Sequence, residues 1–293
     1  MPGPVLFGVV AAGVFGLVIG SFLNVVAYRV PAGSSLLGVS RCPHCDTAIK
    51  PWHNVPVLGW IVLRGRCASC GERISARYPI VEALTGVAFA GITWWVLMGG
   101  VSSRFADPEL VEGRSTTGQW TIEGVWAAVV VIVAFCYLAA ISIVLALIDL
   151  DTKRLPNSIV LPSYLVGAVL LTLASWLTGD WEALLRAGIG MAVLYAFYFV
   201  LRLVRPGGMG GGDVKLAGVL GLYLGWVGWG ALAVGAFAAF LIGGIWGVAL
   251  IIAGRAGRKT AIPFGPWMIL GAWVGVFAGN SIGRWYVNLF VGA

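Results

Sequence analysis

Charge is what this chain has least of. Only 11% of its 293 residues are charged, against 59% hydrophobic, and the mean hydropathy is +0.94. Soluble domains carry about a quarter charged residues, so this shortage excludes an ordinary soluble fold. Histidine is nearly absent as well, with two in all, and no HExxH helix is present, which removes the usual zinc-protease arrangement. No lysine or arginine precedes Arg29, so the first apolar run lacks the basic start of a cleavable signal and is expected to be a span. No internal repeat is visible, which argues against a transporter built from paired halves.

What is present is a series of apolar runs. A helix needs about 20 apolar residues to cross a bilayer. Eight such spans are expected, near 4–27, 80–98, 125–148, 158–178, 183–201, 214–229, 231–253 and 263–283. The fold class is therefore all-α, a polytopic membrane helical bundle. Its parts are expected to be a first transmembrane helix over 1–28, a cytosolic loop over 29–79 and a transmembrane bundle over 80–293.

Short basic loops stay in the cytosol. The segment from Arg29 to Arg77 carries Arg29, Arg41, Lys50, Arg64, Arg66, Arg73 and Arg77 against Asp46 and Glu72, and is assigned there. The stretch 99–124, with Asp107, Glu109, Glu112 and Glu123 against Arg104 and Arg114, is assigned outside. Lys153, Arg154, Arg202, Arg205, Lys215, Arg255, Arg258 and Lys259 then fall on the cytosolic side, and both termini outside. The net charge of +7 reads as this loop bias, with some affinity for membrane lipid. It is too dispersed for a nucleic-acid surface, so no nucleic-acid partner is expected.

Within the basic loop stand Cys42-Pro43-His44-Cys45 and Cys67-Ala68-Ser69-Cys70. Paired CxxC knuckles in a reducing compartment point to zinc, with disulfides as the alternative. Four thiolates close the coordination sphere, so the expected zinc is structural and has no open position for a catalytic water. A metal staple would order a loop too small to build its own core. His44 and His53 are weaker candidate ligands. Cys136, alone in the third span, reads as a small buried hydrophobe.

Two aspartates end long apolar runs, where an ionisable side chain is costly and a functional suspect. Asp149 closes the uncharged run Val125–Ile148, and Asp213 follows Gly210-Gly211-Gly212. Asp151, two residues on, would point about 200° away on a helix and is read as hydrated or ion-paired beside Lys153 and Arg154. Two plainer roles stay open: Asp149 as a helix-end carboxylate facing headgroups, and Asp213 as the N-cap of the sixth span. Gly207, Gly208, Gly210, Gly211 and Gly212 exceed the needs of one cap, and backbone without side chains would let an extended peptide approach. Lys215 is read as balancing local charge or as an interfacial lysine.

At these residues the chain resembles the type IV prepilin peptidases, the prepilin leader peptidase/N-methyltransferases of the GxGD class of membrane aspartyl proteases. Gly210-Gly211-Gly212-Asp213 matches GxGD, and Asp149 with Leu155-Pro156-Asn157 matches the family's other aspartate segment. The N-terminal half matches through Gly20-Ser21-Phe22-Leu23-Asn24-Val25-Val26, Arg29 and Pro31, the two CxxC knuckles, and Arg77-Tyr78-Pro79 with Glu82.

The resemblance implies a bacterial inner-membrane protein whose active site faces the cytosol. It implies cleavage of prepilins and pseudopilins after the glycine that ends a short basic leader, with Asp149 and Asp213 catalytic. It further implies N-methylation of the new N-terminus with S-adenosylmethionine, associated with the cysteine loop and a glycine matching Gly65. No GxGxxG precedes a soluble helix, so spacing alone suggests no methyl donor. Two nearby carboxylates in a desolvated site hold one proton between them, which suits them to activate a water and to polarise a scissile carbonyl. A cation-coupled transporter would also keep the aspartates, and a non-catalytic adaptor presenting the zinc loop would need only the cysteines.

Overall fold

The computed structural model describes residues 3–99, 122–205, 209–254 and 263–291. Most of the acidic stretch 99–124, Gly207, Gly208, Arg255, Arg258 and Lys259 lie outside the described residues. The described chain is helical, with no strand beyond two isolated bridges, Arg41 with Ala48 and Arg66 with Arg73. Its elements are α1 (Gly3–Arg29), a short 3-10 turn (Pro51–His53), α2 (Leu58–Val62), α3 (Arg77–Met98), α4 (Ile122–Thr152), α5 (Asn157–Thr178), α6 (Trp181–Val204), α7 (Gly211–Val227), α8 (Trp229–Ile252), α9 (Gly265–Val274), a π-helical turn (Gly275–Gly279) and α10 (Asn280–Val291).

Helices occupy all eight apolar runs, and six of them, α1, α3, α4, α5, α6 and α8, are long and apolar enough to cross a membrane. The other two runs fall short of that standard. The sixth folds as α7, which has 17 residues. The eighth is divided between α9, the π turn and α10.

By internal contacts the chain forms two compact units, Met1–Trp94 with Phe135–Leu147, and Trp95–Ala134 with Ile148–Ala293. In the first, α1 and α3 run antiparallel, and small residues let them touch. A Cβ on Gly16 would lie 2.7 Å from the Thr85 carbonyl oxygen, and one on Gly20 2.7 Å from the Glu82 Cα. Close approach at small residues is how helices associate where lipid removes any hydrophobic drive between them. Asn24, buried in α1, fixes the register by donating its side-chain amide to the carbonyls of Gly20 and Tyr78.

In the second unit, α7 is the central element, with every residue from Asp213 to Val227 buried except Lys215. Its closest partner is α6, again through glycine. A Cβ on Gly221 would fall 2.3 Å from the Gly190 oxygen, and one on Gly225 2.4 Å from the Arg186 oxygen. Asn280 pins the turn between α7 and α8, donating to the Val227 carbonyl and accepting from the Ala231 N–H.

Candidate active site and metal centre

The metal centre is built almost entirely from local turns. In the first knuckle Cys42 N–H donates to Thr47 and Asp46 N–H to Cys42, with Asp46 in the left-handed region at φ 52°. The second repeats the pattern, Cys67 N–H to Glu72 and Gly71 N–H to Cys67, with Gly71 at φ 73°. Each turn aims two thiols at one point, and the Sγ atoms of Cys42, Cys45, Cys67 and Cys70 all lie within 4.8 Å of one another.

Zinc bound at about 2.3 Å to tetrahedral sulfurs requires them roughly 3.8 Å apart, and Cys42 Sγ stands 3.9 Å from Cys70 Sγ. Disulfide sulfurs sit at about 2.05 Å, so this is the spacing of metal ligands and not of a disulfide. All four cysteines are free thiols. Hydrogen bonding with Thr47 brings the Cys45 thiol down to about 6, while burial and the neighbouring thiols push Cys70 up to about 12. The residues fit a structural zinc, and neither His44 nor His53 joins the four-sulfur cluster.

Gly65 lies between α2 and the second knuckle at φ 66°, buried with the Trp60 indole against it, where a Cβ would come within 2.8 Å of the ring. Trp60 Nε1 donates in turn to the Ile74 carbonyl. Glycine is required here by the turn and by the ring.

The aspartates are gathered by helix ends of the second unit. Asp149 lies in the last turn of α4 and is 4% exposed; Asp213 lies in the first turn of α7 and is 9% exposed. The Asp149 carboxylate accepts the Gly265 N–H through Oδ2 at 3.1 Å, and Asp213 Oδ2 accepts the Gly210 N–H at 2.9 Å. Each buried carboxylate thus receives a backbone donor from the start of a helix, as buried polar groups require. The two lie within electrostatic range of each other.

Leu155 lies beside Gly212, the neighbour of Asp213, and near Gly265, the donor to Asp149. A Cβ on Gly212 would meet the Leu155 Cβ at 2.8 Å, and one on Gly265 would meet Asp149 Oδ2 at 2.7 Å and Leu155 Cδ1 at 3.6 Å. Pro156 caps α5, and Asn157 accepts the Lys215 ammonium at 2.9 Å. The segment Leu155-Pro156-Asn157 therefore holds the end of α4 against the start of α7.

One expectation changes here. Asp213 is not the N-cap of its helix: Gly210 is, and Asp213, three residues on, reaches back to the Gly210 N–H as the second half of a capping box. At Gly211 and Gly212 the Arg202 guanidinium and Leu155 occupy the space that a side chain would take, while Gly210 is exposed and Gly211 and Gly212 half-buried. Lys215 ties α7 to α5 through its hydrogen bond to Asn157, a contact that the sequence did not show. Asp151, by contrast, is exposed at the end of α4, as its offset from Asp149 predicts.

Gly265 escaped the sequence reading, which ran a span through it. Pro263-Phe264-Gly265-Pro266 is a breaker run inside an apolar stretch and was the available signal of a helix start. Beside it, Phe264 joins Tyr198 of α6 and Phe240 of α8 in an aromatic cluster with ring centroids 5.3 to 6.3 Å apart.

Comparison with known proteins gives a family match in each half of the chain. The Bacterial Peptidase A24 N-terminal domain matches residues 14–96, and the Type IV leader peptidase family matches residues 136–248. A prepilin leader peptidase/N-methyltransferase of Stutzerimonas stutzeri is 31% identical, covering 96% of this chain and 94% of the relative. One of Aeromonas hydrophila is 32% identical over 94% and 93%. One of Bacillus subtilis strain 168 is 30% identical over 95% and 98%. No solved structure matches. Alike from end to end to several such peptidases, the chain belongs to the type IV leader peptidase family.

Proposed function

We propose that the protein is an aspartyl endopeptidase of the bacterial inner membrane that removes the short basic leader of prepilins and pseudopilins after its terminal glycine, on the cytosolic face. Asp149 and Asp213 are the catalytic pair. The observation that carries this reading is a pair of buried carboxylates within electrostatic range of each other, each held by an N–H from the start of a different helix. Orientation rests on the basic residues of the loop 29–79 and of the segments after α4 and α6.

The pair holds one proton between its two members. The ionised carboxylate takes a proton from a water as that water attacks the carbonyl carbon of the leader glycine. The protonated carboxylate hydrogen-bonds the carbonyl oxygen and stabilises the charge developing on it. Collapse of the tetrahedral intermediate breaks the C–N bond, with a proton delivered to the departing amine. The Gly265 and Gly210 N–H groups keep the carboxylates oriented throughout.

Zinc in the four-cysteine centre orders the loop 29–79 and takes no part in the hydrolysis. The functional division runs 1–28, 29–79 and 80–293. Methylation of the new N-terminus with S-adenosylmethionine is supported by the names of the relatives. No step is assigned to a methyl donor at Gly65, because Trp60 closes that position.

The test is to incubate the membrane-embedded protein with a prepilin carrying a glycine-terminated leader, with and without S-adenosylmethionine, and to sequence the product from its N-terminus. A product starting immediately after the glycine, methylated only with the donor, is expected. An uncut prepilin overturns the proposal.

A further inference from the structure

Apolar side chains cover the outer face of a loop whose composition is otherwise basic and polar. Trp52 is 65% exposed, Leu58 60%, Ile61 56% and Val62 77%, with Val55 beside them. The same short segment turns its other side inward, where Gly59 and Gly65 are buried. Contiguous exposed apolar surface marks an interaction site.

The depth of this segment says what covers it. Val57 N–H donates to Glu82 Oε2 at 2.7 Å, and Glu82, 7% exposed, belongs to α3 five residues beyond its first residue, Arg77. At a rise of about 1.5 Å per residue, Glu82 lies roughly 7 Å along the helix axis. It also packs at Gly20, nine residues before the end of α1. Both helices are long and apolar enough to span. The anchor of the segment is thus more than a turn inside the ends of two spanning helices, where surrounding lipid begins.

The chain bends sharply to get there. Val57 sits at φ 61°, ψ −50° in a three-residue turn closed by Leu58 N–H to the Pro56 carbonyl at 2.6 Å. A β-branched residue in that conformation is strained, and the buried Glu82 carboxylate holds it. Exposed cations flank the apolar face: Lys50, whose ammonium stands 5.5 Å from the Trp52 ring centroid, and Arg64 and Arg66. Apolar side chains pointing outward between basic residues suit the boundary of an anionic leaflet.

We propose that Trp52–Val62 is a membrane foot: its face of Trp52, Val55, Leu58, Ile61 and Val62 lies in the lipid interface beside α1 and α3, tethered by Glu82. The occupant of the face is lipid, and the zinc loop is thereby anchored to the membrane surface.

The test uses the full-length, zinc-loaded protein in nanodiscs of anionic phospholipid with brominated acyl chains. A fluorescent amino acid is placed at position 62 and, in a second preparation, at exposed position 69 of the second knuckle. Strong bromine quenching at 62 and little at 69 is expected. A Leu58→Asp/Ile61→Asp variant should lose the quenching at 62 while keeping its zinc. Equal, weak quenching at both positions overturns the proposal. Protection of position 62 that arises only when a prepilin is added also overturns it, by giving the face to a substrate segment. Neither readout involves cleavage, so the result stands apart from the fate of the proposed peptidase activity.

Discussion

The two candidate centres are assembled in opposite ways. The four cysteines lie between Cys42 and Cys70, and two short turns with the same hydrogen bonds bring their sulfurs together. The aspartate site draws on Asp149, Asp213 and Gly265, which only helix packing can join. One centre is ordered by turns and by the proposed metal; the other by glycine-mediated helix contacts and backbone donors at helix starts. Damage to each should therefore have its own signature, and the predictions that separate them run from large effects to small.

Replacement of Asp149 or Asp213 by Asn should have the largest effect, lowering cleavage on the order of 10²–10⁴-fold, the range that general acid–base groups supply. Zinc content and membrane insertion should be unchanged, as metal analysis and fractionation would report. Gly265→Ala should come next. Its Cβ would fall 2.7 Å from Asp149 Oδ2, so cleavage should drop sharply while thermal stability changes little. If Gly265→Ala cleaves normally, Asp149 is not held as described.

Removal of a metal ligand should show the reverse pattern. Cys42→Ser should reduce zinc from about one per chain toward none and make the loop 29–79 sensitive to protease, leaving the helices of the second unit folded. Gly221→Ile tests the packing side: its Cβ would meet the Gly190 oxygen at 2.3 Å, and overpacking costs about 1–3 kcal/mol in unfolding experiments. Lys215→Met, which removes one hydrogen bond to Asn157, should cost about 1 kcal/mol. Asp151→Asn should be smallest, within about 0.5 kcal/mol in stability and with cleavage retained, because that side chain is exposed.

The same contrast explains how much the sequence disclosed. CxxC spacing encodes a knuckle within four residues, so the four-cysteine cluster was legible, with both histidines ranked behind the thiols. Asp149 was legible because an uncharged run leads up to it, and its difference from Asp151 followed from helical angle alone. The surroundings of the aspartates were not legible. Nothing in Gly211 or Gly212 announces that Arg202 and Leu155, distant in the chain, will occupy the space beside them. Gly265 was hidden because an apolar run with prolines at both flanks reads equally as one broken span or as a new helix start. The sixth and eighth apolar runs are short of a full span for the same reason: hydropathy reports that a stretch is apolar, while the lengths of α7 and α9 are decided by where glycine and proline end them.

The central claim is that Asp149 and Asp213 work as one unit. The most direct measurement is a double-mutant comparison of cleavage rates for Asp149→Asn, Asp213→Asn and the two combined, in membranes lacking any other prepilin peptidase. Because either substitution already removes the shared proton and the activated water, the double variant should be no slower than the singles. Cleavage at the normal rate by either single variant, or losses that multiply in the double, would contradict the account.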